Sequence, residues 1–171
     1  NNKIKGNADE ALNSGTFFAI EIYNSDNTSI INNNITNTYD EYAFTNNEGG
    51  IYSYNADNTI IYLNNISNND GNGIDVENSI NTNITLNVIK NNGEYNNREI
   101  ILLNVNETII DRNIIEANKR NTIELDDCIS NTILRNNLTN GPNFQIKGDL
   151  NSSDNYIYKN NFYSDLGCEF Y

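Results

Sequence analysis

Isoleucine and its apolar substitutes return along this chain at intervals that no helix produces. One column runs Ile35, Ile66, Ile89, Ile115, Leu138, Phe162, with spacings of 31, 23, 26, 23 and 24 residues, and Ile4 fits a partial copy ahead of it. Five residues upstream stands a second column, Ile30, Ile61, Ile84, Ile110, Ile133 and Ile157. Further upstream lie alternating pairs: Ile20/Ile22, Ile51/Ser53, Ile74/Val76, Ile100/Leu102, Ile123/Leu125 and Phe144/Ile146. Apolar residues at i and i+2 describe one buried face of a strand, and the i, i+3, i+4 pattern of an amphipathic helix is missing. Each copy therefore predicts a period-2 strand, a turn, a second strand, a tight turn and a third short strand. The segment "GIDVENSINTNITLNVIKNN" (73–92) lies over "GIYSYNADNTIIYLNNISNN" (50–69) in this way.

Asparagine, about a quarter of the chain, against far lower ordinary usage, keeps the same register. Two residues before each anchor stand Asn33, Asn64, Asn87, Asn113, Asn136 and Asn160; after the first strand stand Asn24, Asn55, Asn78 and Asn104, then Asp127. Asn tolerates left-handed backbone better than most residues, which suits a sharp bend between strands. When equivalent coils stack about 4.8 Å apart, side-chain amides can hydrogen-bond from rung to rung. A period near 23 with three strands per turn predicts an all-β solenoid. It is a right-handed parallel β-helix of about six coils, with three short parallel sheets and Asn-stacked corners. A leucine-rich repeat has a similar period but needs several Leu and one strand per copy. The recognisable repeats span 17–163 of a single domain, 1–171. The opening "NNKI" matches "NNNI" at 32–35, so the chain reads as a segment of a longer one.

The repeat resembles that of the pectate-lyase-like superfamily, and the resemblance covers most of the chain. It implies a right-handed helix of three parallel sheets, the first of which lines a substrate groove. That superfamily holds lyases, hydrolases, epimerases, phage tailspikes and adhesins, so the resemblance implies fold more sharply than activity. The Asn/Ile/Thr bias is similar to that of adhesin-like surface proteins of methanogenic archaea and low-GC bacteria.

Charge narrows the partners. A net charge of −13 and a pI near 4.1 repel phosphate backbones, so nucleic acid is not expected. No apolar run reaches the length of a membrane-crossing helix, so membrane insertion is not expected either. The chain contains no His, which removes His-based catalysis and metal ligation. Cys128 and Cys168 permit one disulfide, which would pin the last segment; two free thiols are the alternative.

Candidate chemistry gathers on the outward column of the first strands, read as Glu21/Tyr23, Tyr52/Tyr54, Asp75/Glu77, Ile101/Leu103, Glu124/Asp126 and Gln145/Lys147. Tyr23, Tyr52, Tyr54, Asp75 and Glu77 are candidate glycan-binding residues. Tyr39, Tyr42 and Tyr95, on the longer loops 37–50 and 90–99, join them. Aromatic faces beside carboxylates are a common way to hold sugars; a solvated face with cross-rung tyrosine packing is the competing reading. The Ile101/Leu103 rung separates the two carboxylate clusters by ~10 Å, too far for one ion, so no metal centre or cofactor is expected. A Ca²⁺ loop at "DGNGIDVE" (70–77) is a weak match, because its Gly stands at the wrong offset. The paired aspartates of "ELDDC" (124–128) resemble polygalacturonase-type hydrolases in two residues only, and the His of that family is missing. Arg112, Arg135 and Lys159 form a basic stripe beside Asp111. Asn151 is the most accessible sequon and the candidate glycosylation site. The expected function is a non-catalytic structural or adhesive module, extracellular or on the cell surface. Its partners would be itself, stacked end to end into filaments, or surface glycans. The alternative is a polysaccharide-binding or polysaccharide-degrading domain, lyase- or hydrolase-like, tailspike-like glycan binders included.

Overall fold

The computed structural model describes residues 2–5, 18–36, 49–93, 97–117, 120–141, 143–163 and 167–170. Twenty short strands and no helix appear among them. The first sheet holds β2 (Phe18–Tyr23), β5 (Gly49–Tyr54), β8 (Ile74–Glu77), β11 (Ile100–Leu103), β14 (Ile123–Asp126), β17 (Ile146–Gly148) and β20 (Cys168–Phe170). The second holds β3 (Ser29–Ile31), β6 (Ile60–Tyr62), β9 (Asn83–Thr85), β12 (Ile109–Asp111), β15 (Thr132–Leu134) and β18 (Tyr156–Tyr158). The third holds β1 (Asn2–Lys5), β4 (Asn33–Thr36), β7 (Asn65–Ser67), β10 (Val88–Lys90), β13 (Ile114–Glu116), β16 (Asn137–Thr139) and β19 (Asn161–Tyr163). Every pairing is parallel and joins neighbouring coils, for example Ile51↔Ile74↔Ile100↔Ile123↔Ile146. The predicted parallel β-helix is thus observed as six strand triplets.

The three apolar columns meet on the solenoid axis. Ile61, Ile84, Ile110 and Ile133 of the second sheet and Ile35, Ile66, Ile89, Ile115 and Leu138 of the third are fully buried, as are Ile51, Ile74, Ile100, Ile123 and Ile146 of the first. Each such side chain contributes about 1.5–3 kcal/mol through removal from water.

The inner asparagine column forms a continuous ladder. Oδ1 of Asn113 accepts from the backbone N–H of Asn87 at 2.8 Å and from its Nδ2 at 3.1 Å. Nδ2 of Asn113 donates to the Ile84 carbonyl at 2.8 Å and to Asn136 Oδ1 at 3.0 Å. The same set repeats from Asn33 through Asn64 and Asn87 to Asn160. The outer column does what a bend requires: Asn24, Asn55, Asn78, Asn104 and Asp127 have φ of 49–53°. The inner column corrects the expectation for its own corner. There the left-handed residue is the one before the ladder amide, namely Asn32, Leu63, Leu86, Arg112, Arg135 and Lys159. At that corner Asn is present for its amide, which donates and accepts at once, and the backbone bend falls on whatever precedes it.

Two sequence expectations fail in the last coils. Ile146 pairs with Ile123 and Lys147 with Glu124, so the inward pair is not Phe144/Ile146, and Gln145 is buried rather than outward. The register follows the eight-residue spacing from anchor to next strand seen from Ile66 to Ile74 and Ile115 to Ile123, which Leu138 to Ile146 repeats. The extra residue of this coil is taken up in the turn at 149–153. The Cys128–Cys168 disulfide is also absent: both cysteines are free. Cys128 is buried in the turn after β14, while Cys168 opens β20 opposite Ile146, two rungs beyond Ile123. Two rungs, ~10 Å, exceed what a disulfide spans.

Two coils leave no room for a side chain at the corner before the first sheet. A Cβ at Gly73 would lie 2.6 Å from the Glu99 carbonyl oxygen, and one at Gly50 would lie 2.5 Å from the Gly73 carbonyl oxygen. Asn113→Asp places a carboxylate against the Ile84 carbonyl and the Asn136 Oδ1, and should cost about 3 kcal/mol. Asn104→Asp, in the exposed column that already contains Asp127, should cost no more than about 0.5 kcal/mol. Urea unfolding of the two variants checks the difference.

Candidate functional site

Outward residues of the first sheet stand in register across the coils: Glu21, Tyr52, Asp75, Ile101, Glu124, Lys147, Glu169 in one row, and Tyr23, Tyr54, Glu77, Leu103, Asp126 in the next. The first end is aromatic. Phe18 stacks on Tyr52 with centroids 5.2 Å apart, Tyr23 meets Tyr52 edge-on at 5.4 Å, and Tyr52 and Tyr54 are stacked at 6.3 Å. Tyr23 is 53% exposed; Tyr52 and Tyr54 are half-buried. Burial first, then the charge and hydrogen bond of Glu77, raise the Tyr52 phenol well above its ordinary value.

Asp75 follows directly on the aromatic end and is 8% exposed. Its Oδ2 accepts from Asn72 Nδ2 at 3.1 Å, while its Oδ1 has no hydrogen-bond partner. Burial and then Glu77 push this carboxyl up to about 7, against smaller lowering effects of Asn72 and Arg98. Beyond the Ile101 rung, Glu124 is ion-paired with Arg98 and accepts from Asn121 Nδ2 at 3.1 Å. Burial raises Glu124, but the hydrogen bond and charge of Arg98 outweigh it and hold the carboxyl below its ordinary value. Two carboxyls on one face thus differ in proton affinity, and Arg98 lies where it acts on both.

Arg98 was not legible as a site residue. It stands in the segment before β11, and only the fold returns that segment over the sheet, where the Arg98 backbone N–H donates to Asn72 Oδ1 at 2.9 Å. The same bond, with the one from Asn72 to Asp75, commits the side chain of Asn72 and so argues against a Ca²⁺ loop at 70–77. Tyr39, Tyr42 and Tyr95 lie outside the described residues. At the far end, carboxylate oxygens of Asp126, Asp127 and Asp149 come within 4.8 Å of one another. They are oxygen donors of the type Ca²⁺ takes, but Asp149 already accepts from the Asp127 N–H at 3.2 Å and the Ser152 hydroxyl at 2.6 Å. Two members of the basic stripe meet Asp111: Arg135 holds it with two bonds of 2.7 and 2.8 Å, and Arg112 adds a third contact at 3.1 Å, while Lys159 lies over the Tyr158 ring. Asn151 is exposed in its turn, while sequon residues Asn34 and Asn65 bond to each other.

A family model described as right handed beta helix region matches residues 18–171. The chain belongs to the right-handed β-helix family. No curated protein sequence matches it. Among solved structures this β-helix is similar to a periplasmic alginate epimerase, AlgG, at 19% identity. Against a single-substitution mutant of that enzyme the TM-score is 0.67, covering 91% of this chain and 41% of the other. Against the epimerase itself the TM-score is 0.63, covering 89% and 41%. The β-helix therefore spans about two fifths of the epimerase's length, and the likeness is one of fold. The expectation of a non-catalytic module is corrected by it, since this same coil architecture serves an enzyme. Nothing in these likenesses supports an adhesin or a filament. Among the described residues no helix is long and apolar enough to cross a membrane.

A second buried carboxyl lies inside the wall. Glu99, 1% exposed, accepts from the Asn92 N–H at 3.1 Å and Nδ2 at 2.5 Å, closing a short ladder that begins at Asn69. Burial pushes it up to about 8, with Asn92 opposing and Glu116 adding to the rise. Asp75 and Glu99 both hold protons more tightly folded than unfolded. Their contribution to stability is complete below about pH 4 and is lost as pH rises through about 7 and about 8. The melting temperature should therefore fall between about pH 5 and pH 9, and Asp75→Asn with Glu99→Gln should flatten the profile; thermal melts across that range check both.

Proposed function

We propose that this β-helix acts on a polysaccharide, with the outer face of the first sheet as its glycan groove. One observation carries the reading: a stacked aromatic run that leads, one rung on, to a buried carboxyl with an unpartnered oxygen. Stacked tyrosines offer flat, amphipathic surfaces to sugar rings. A carboxyl that titrates near neutrality exchanges its proton at working pH, as general acid–base chemistry on a sugar demands. Asp75 would carry that proton. Glu124, held ionised by Arg98, would stabilise positive charge developing on the ring or at its substituents. The fold is shared with an alginate epimerase, which supports polysaccharide chemistry as the class without naming the polymer. A periplasmic or extracellular setting suits such a substrate.

The test is binding and turnover on a panel of polysaccharides, read by affinity electrophoresis and by NMR of the sugar protons. Tyr52→Ala should weaken glycan binding about tenfold, roughly the worth of one aromatic contact. Asp75→Asn should leave binding in place and lower turnover by about 10²-fold or more. Full turnover by Asp75→Asn would remove Asp75 from the chemistry, and a panel with no bound glycan would remove the groove.

A further inference from the structure

The charge of the groove says which glycan it can accept. Six acidic side chains stand on the outward face of the first sheet or at its edge: Glu21, Asp75, Glu77, Glu124, Asp126 and Glu169. Among the described residues two cations oppose them. Arg98 is spent on Glu124, and Lys147 lies between Glu124 and Glu169 in the register. Asp127 and Asp149 add charge of the same sign just beyond Asp126. A low-dielectric wall focuses such a field into the groove, over a chain whose net charge is already −13.

We infer that the polysaccharide taken by this face carries positively charged amino groups, as a polymer of free amino sugars does. The inference rests on the glycan reading above and specifies its substrate. Three features of the face converge on an ammonium. Asp75 Oδ1 is buried without a donor, and an N–H from the ligand supplies one. Glu77, on the same strand and the same face, offers a second carboxylate next to it. Tyr23, the exposed ring of the aromatic end, stands with Tyr54 in the row that holds Glu77 and brings a π-system that attracts cations. A uronic acid polymer would instead bring its carboxylates against Asp75 and Glu77, where the one nearby guanidinium is already paired.

Three oligosaccharides of equal length separate the outcomes: fully deacetylated glucosamine oligomer, its N-acetylated twin and oligogalacturonate. Each is titrated calorimetrically into the full chain at low ionic strength and at a pH that keeps the amines charged, with and without added Ca²⁺. The deacetylated oligomer should bind at least about tenfold more tightly than the acetylated one, and added salt should shrink that ratio, because the attraction is screened. Glu77→Gln should narrow the same ratio. Equal or tighter binding of the acetylated oligomer, or of oligogalacturonate with or without Ca²⁺, overturns the inference while leaving the groove a glycan site. Failure of all three to bind overturns the glycan reading and the inference together.

Discussion

A carboxamide that gives and receives hydrogen bonds at the same time is what the rest of this solenoid depends on. At each rung the inner asparagine satisfies both a backbone N–H and a backbone carbonyl of the preceding coil, and it does so where the sheets are interrupted by a corner. Those groups are buried, and water cannot reach them. Neither an apolar residue nor a carboxylate can perform both roles. The coil length is bound to this requirement: the five residues from second column to anchor hold the ladder amide at a constant place. Insertions are therefore kept out of this stretch, and the chain length varies elsewhere in the coil.

The outer face of the first sheet inherits its geometry from that constraint. Once the corners are locked, outward side chains of the first sheet have no freedom of register, so Tyr52, Asp75 and Ile101 stand in line one rung apart. Asp75 is buried because the segment carrying Asn72 and the one carrying Arg98 close over it, and Gly73 allows those coils to approach. Its proton affinity is thus a product of packing around a corner, several residues from the carboxyl itself.

Much of this was legible in the sequence. The columns of Ile and Asn repeat at fixed offsets, and parallel strands with period-2 burial follow from them directly. The candidate residues Tyr23, Tyr52, Tyr54, Asp75 and Glu77 are on one face as read. Three things were hidden for physical reasons. Leucine and arginine are poor indicators of left-handed backbone, yet Leu63, Leu86 and Arg112 adopt it because their neighbours' amides fix the corner. Arg98 lies in a connecting segment whose path depends on tertiary contacts. The last coil carries two apolar candidates for one position, and Phe144 displaced Ile146 in the pattern although the eight-residue spacing favoured Ile146. The proximity of Asp149 to Asp126 and Asp127 depends on the same spacing and was lost with it.

Each coil contacts only its neighbours, and each presents one outward pair on the first sheet. Duplication of a single coil therefore lengthens that outward face by one pair of side chains and leaves every other rung undisturbed. Loss of a coil shortens it by the same unit. A protein built this way can change the length of its outward face by whole-number steps in its gene, without a new fold and without a new kind of contact.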